Sequence, residues 1–147
     1  MDLVQHFSNA RNTVSCRAGE VIFHAGERGS VMYVLLRGLA SVIVDDETVE
    51  MAAPGAVLGE MALLGNGRRS ATVIARRDCV LVPIPREQFD ILIKETPLFA
   101  RHVMKVMADR LRRMNERSVQ QRSTRNEAWL GSLSARRSDV HAAWRVQ

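Results

Sequence analysis

Eight of the nine glycines fall between Gly19 and Gly67, cutting the first half of the chain into short runs rich in Val, Ile, Leu and Met. Apolar runs of that length between turn residues read as strands, because each ends too soon for a helix. From Leu39 to Val44 the residues Ala40, Val42 and Val44 share one face. Asp45 and Asp46 then make a polar turn, and Val49 and Met51 resume the alternation. Ala71, Val73 and Ala75 line up in the same way, and a last strand, Cys79 to Ile84, follows Asp78. Beyond Pro85 the period changes: Phe89, Leu92 and Ile93 fall at helical spacing, with Glu87 in the first turn. Pro97 ends that helix and admits another, in which Phe99, Val103, Val106, Met107, Leu111 and Met114 form an apolar stripe of about four turns. This order predicts a mainly β fold with C-terminal helices. An antiparallel β-roll or jelly-roll barrel is expected over about 13–84, followed by helices over about 86–95 and 98–117.

The segment Leu58 to Ala75, LGEMALLGNGRRSATVIA, carries the chemistry. Gly59 permits a backbone conformation and a close approach that other residues resist. Met61 to Leu64 favour a helix that Gly65, Asn66 and Gly67 stop after about one turn. The first N–H groups of such a helix lack partners and, with the positive end of the dipole, suit a phosphate or carboxylate. Glu60 is out of place beside an anion unless it has another task, such as accepting hydrogen bonds from the hydroxyls of a ribose. Arg69, nine residues on, can hold two phosphate oxygens in its planar fork. One molecule carrying a sugar hydroxyl and a phosphate satisfies both residues. The bland alternative is a surface Glu60–Arg69 ion pair, worth at most ~1 kcal/mol.

These residues carry a resemblance. G-E-M-A-L-L, a short loop, then R-S-A-T-V resembles the phosphate-binding cassette of cyclic nucleotide-binding domains. AGEVIFHAGERGSVMYVLLRG (18–38) resembles the early strands of that family, and 80–116 its last strand and following helices, so that about 13–117 are covered. Leu58 departs from the pattern, since many relatives have phenylalanine there. The resemblance implies a phosphate held by Arg69, Ser70 and the N–H groups of Met61 and Ala62, and a ribose held by Glu60 and Gly59. It further implies a purine met by Arg110, Asn115 and Ala71. Arg110 also reads as one of a solvated basic face with Arg112, Arg113 and Arg117. Ser70 does not decide between cyclic AMP and cyclic GMP, and cyclic AMP is favoured as the commoner ligand of bacterial relatives. The second helix is expected to report occupancy by moving as a lid.

Composition and charge set the remaining expectations. A chain of 147 residues with 46% apolar content suits one folded domain. No run approaches ~18 apolar residues, and the first twenty residues have no signal-peptide pattern, so a cytoplasmic protein without a membrane span is expected. Cys16 and Cys79 read as reduced, buried small hydrophobes rather than a disulfide framework. Residues 1–97 hold 10 Lys or Arg against 12 Asp or Glu, whereas 98–147 hold 11 against 4. The positive charge therefore belongs to the C-terminal segment. His6, His24, His102 and His141 are scattered without metal-ligand spacing, and there is no GxSxG or HExxH motif, so neither metal nor catalysis is expected.

The division expected is a cyclic nucleotide-binding domain over 1–117 and a basic tail over 118–147. That tail is too short for a winged DNA-binding module. It holds Trp129, Leu133, Val140 and Trp144 at roughly helical intervals, which reads either as a partner-docking helix or as a flexible polar terminus. Expected partners are the cyclic nucleotide, an unnamed effector protein and a second copy meeting through helix 98–117. The alternatives are an interaction module acting through its tail, or the sensor portion of a larger channel, kinase or transcription regulator. Met1 and the lack of a linker-like start argue mildly against the last.

Overall fold

A computed structural model describes the backbone of residues 1–145 and the side chains of residues 1–133. Eight strands build two antiparallel sheets. They are β1 (Val14–Cys16), β2 (Val21–Phe23), β3 (Val31–Arg37), β4 (Ala40–Val44), β5 (Glu47–Ala52), β6 (Val57–Leu58), β7 (Thr72–Ala75) and β8 (Cys79–Pro85). One sheet has the order β1-β8-β3-β6 and the other β2-β7-β4-β5. Sequential strands thus alternate between sheets except at the β4–β5 hairpin, which gives the roll expected of the glycine-cut runs. That hairpin turns at Asp45 and Asp46, with φ 50° and 62°. Two successive positive φ values belong to the hairpin turn whose twist matches the flanking strands, and short polar aspartates tolerate them.

The core lies between the sheets and divides its volume unequally. The first sheet contributes Leu35, Leu58, Cys79 and Leu81; the second answers with Phe23 and Val73 beside the small Ala40, Ala52 and Ala75. Large residues facing small ones let the layers interdigitate at interior density. Leu58 is 1% exposed and belongs to this cluster.

Four helices complete the described residues: α1 (Leu3–His6), α2 (Glu60–Leu64), α3 (Arg86–Glu95) and α4 (Pro97–Arg145). The short α1, which apolar periodicity does not signal, starts where the Asp2 carboxylate accepts from the Gln5 N–H at 3.1 Å. It buries Leu3 and leads into Phe7. Phe99, fully buried, meets Phe7 and Phe89 edge to face, at centroid separations of 6.5 and 6.0 Å. Thr96 separates α3 from α4, with Pro97 at the first position of α4, where its missing N–H costs nothing.

The chain forms two compact units, Met1–Val103 and Met104–Gln147. The second is helical backbone as far as Arg145. Its described side chains include exposed Met104, Leu111, Met114, Val119, Trp129, Leu130 and Leu133, with an Arg112–Asp109 ion pair at 3.3 Å. Val140 and Trp144 fall outside the described side chains.

Candidate functional site

The segment after β6 turns at Gly59, whose φ of +81° is left-handed, and enters α2 at Glu60. Only glycine adopts that conformation without strain. No side chain caps the start of α2, so the N–H groups of its first turn are not satisfied from Gly59. Gly65 ends the helix, its N–H returning to the Met61 carbonyl at 2.8 Å. Glu60 is 1% exposed and Ala62 fully buried, while Met61 faces outward.

Arg69 is placed by its backbone first. Its N–H donates to the Glu27 carbonyl at 2.8 Å and its carbonyl accepts from Gly26 N–H at 2.9 Å. Gly29 N–H reaches the Gly67 carbonyl at 2.9 Å, and Arg28 and Arg68 form an isolated bridge. Residues 26–29 and 67–69 therefore clamp one another. The Arg69 side chain, 7% exposed, donates through Nη1 to the Gly59 carbonyl at 3.1 Å and through Nη2 to the Val31 carbonyl at 2.7 Å. Its Cζ lies 4.2 Å from the centre of the Phe23 ring, a cation–π placement. Phe23 in turn stacks on Tyr33 at 6.3 Å.

Two glycines make room for this guanidinium. A β-carbon at Gly29 would collide with Arg69 Cζ and Nε and lie 2.7 Å from Nη2. One at Gly59 would collide with Nη1 and stand 3.3 Å from the Phe23 ring. Burial lowers the Arg69 pKa, and the nearby Tyr33, Glu27 and Glu60 oppose that shift by favouring its charge. A guanidinium remains protonated regardless. The result is a desolvated cation with Glu60 in its field and further N–H donors beyond those two carbonyl bonds, so an anion is the natural complement.

The structure brings Gly59, Glu60, Met61, Ala62 and Arg69 to one cassette, and continues it through exposed Ser70 and buried Ala71 into β7. Arg110 and exposed Asn115 lie in the second compact unit. Arg68 is exposed, and its Nη1 donates to the Gly26 carbonyl at 3.2 Å. Sequence reasoning missed Phe23, Gly29 and Arg86. Arg86 opens α3, and its Nη1 and Nη2 donate to the Leu63 and Ala62 carbonyls at 2.9 and 3.4 Å, closing the C-terminal end of α2 with positive charge. Gly29, inside AGERGS, was visible as a glycine; what made it necessary was an arginine forty residues away.

Fold and site together define a β-roll domain with a short helical cassette built beside a nearly buried cation. The chain belongs to the cyclic nucleotide-binding domain family, whose model matches residues 13–96. It is 33% identical over 99 residues to the Cyclic AMP receptor protein of Thermus thermophilus, covering 64% of this chain and 46% of that protein. It is 32% identical over 117 residues to Lysophospholipase NTE1 of Pyricularia oryzae, covering 76% of this chain but 8% of that enzyme. The chain thus spans a small part of some relatives and about half of another. Among solved structures it is similar to that of Sp-2Cl-cAMPS bound to PKAR CBD2, with a TM-score of 0.59, 28% identity and 71% coverage of both chains. No helix among the described residues is long and apolar enough to cross a membrane, and no metal-binding cluster occurs among them.

Proposed function

We propose that this chain is a non-catalytic sensor that binds cyclic AMP in preference to cyclic GMP and passes occupancy to its C-terminal helices. The observation that carries this reading is the pairing, on one cassette, of a nearly buried cation with a nearly buried carboxylate. Arg69, the Ser70 hydroxyl and the N–H groups of Met61 and Ala62 hold the cyclic phosphate. Glu60, entered through Gly59, accepts from the ribose hydroxyl, and Ala71 lies under the purine. Arg110 and Asn115 remain the proposed purine contacts from α4. The phosphodiester is bound and released unchanged, and the binding energy shifts the helical segment. Similarity to a cyclic AMP receptor protein and to a domain bound to a cyclic AMP analogue supports the choice of base. Calorimetric titration of the purified protein with both nucleotides tests it: saturable binding, tighter for cyclic AMP, is expected. No heat and no competition at millimolar ligand overturns the proposal.

A second reading rests on the exposed Trp129, Leu130 and Leu133 on a basic helix, which suit an interaction module acting through α4. Similarity to a section of a much longer lysophospholipase also supports a sensor portion within a larger protein.

A further inference from the structure

The chain has two cysteines, 63 positions apart in sequence, and the antiparallel register places them directly opposite: Cys16 on β1 faces Cys79 on β8. Directly opposed residues of an antiparallel pair point to the same face with Cα atoms roughly 4.5–5.5 Å apart, inside the roughly 4.4–6.8 Å range of disulfides. Here that face is the core. Cys79 is 1% exposed within the inter-sheet cluster, and Cys16, partly exposed, packs against the same cluster. Each is a free thiol. The Cys79 sulfur donates to the Arg77 and Leu39 carbonyls at 3.2 and 3.4 Å, weak bonds that a thiol gives up easily. Gly38 leaves it space, since a β-carbon there would stand 2.8 Å from the sulfur.

We propose that Cys16 and Cys79 are an oxidisable cross-strand pair, a modification site that a hydroperoxide closes to an intramolecular disulfide. Cys16, the more accessible thiol, reacts first as its thiolate. Its sulfur takes the distal peroxide oxygen as the O–O bond breaks, giving a sulfenic acid and an alcohol, or water from hydrogen peroxide. The Cys79 sulfur then attacks the Cys16 sulfur, expelling the hydroxyl as water, so that two thiols and one hydroperoxide yield one disulfide, one alcohol and one water. Burial, Glu20 and Cys79 raise the Cys16 pKa, in that order of size, and burial raises that of Cys79. The bond fastens the edge strand β1 to β8, the strand that runs directly into α3.

The test treats the reduced 147-residue chain with hydrogen peroxide. Intact mass should fall by about 2 Da, reversibly with dithiothreitol, and digestion should yield the Cys16 peptide joined to the Cys79 peptide in a monomeric species. The oxidised chain should melt several degrees higher than the reduced one, since the bond shortens the loops open to the unfolded chain. Cys16→Ser, a change at the partly exposed partner, should lose both the mass change and the melting shift. Oxygen added to the separate cysteines without a crosslink, or a crosslink only between chains, overturns the proposal. So does a disulfide that fails to raise Tm, because it would have formed outside the native register.

Discussion

A guanidinium that is 7% exposed must find in the protein what it loses in water, and Arg69 finds two carbonyls, an aromatic face and the fields of Glu60 and Glu27. Arg69→Ala should weaken cyclic nucleotide binding by at least ~10-fold, because a hydrogen bond to a charged group contributes about 1.5–3 kcal/mol. Calorimetry measures this, and unchanged affinity would remove Arg69 from the site. Gly29→Ala tests placement rather than charge. The added methyl occupies the guanidinium's position, so affinity should fall by a similar factor while Arg69 is still present. Wild-type affinity in that variant would show that the guanidinium binds from elsewhere. Glu60, Arg69 and Gly59 were legible in the sequence because the cassette places them within a dozen residues. Phe23, Gly29 and Val31 were not, because their part is to surround a side chain that reaches them only after β2, the following loop and β7 have come together.

At the scale of elements, α2 is five residues long and too short to persist by itself. Arg86 holds its far end through two carbonyls, and the same residue is the first of α3. Removing it with Arg86→Ala should lower stability by about 1 kcal/mol, given its exposure. It should also weaken the response of α3 to ligand, read as smaller nucleotide-dependent hydrogen-exchange protection across 86–95. An undiminished response would show that α2 reaches α3 by another route. Phe99 is a different kind of link, a buried ring meeting Phe7 and Phe89. Phe99→Ala should cost about 3–5 kcal/mol in denaturant unfolding. The strands and α3 followed from period and turn residues. The helix α1 did not, because a four-residue turn carries no period; tertiary burial of Leu3 and Phe7 gives it a place.

Along the chain, the cassette and the net positive charge fall in different segments. The cassette lies in Met1–Val103, whereas 98–147 carries 11 Lys or Arg against 4 Asp or Glu. Deleting 118–147 should therefore leave nucleotide affinity within about threefold of wild type, a change below ~0.7 kcal/mol. A larger loss by calorimetry would place part of the binding energy in the tail. The sequence alone determined the antiparallel roll and the residues of the cassette. Those depend on features local in the chain: glycine-limited runs, a strand-to-helix change of period at Pro85, and a carboxylate and arginine nine residues apart. Only the tertiary structure decided how Arg69 is held, that Arg86 joins α2 to α3, and that Cys16 meets Cys79. Each depends on strand register and on the close approach of residues tens of positions apart, where one residue's slip in pairing would turn every side chain to the opposite face.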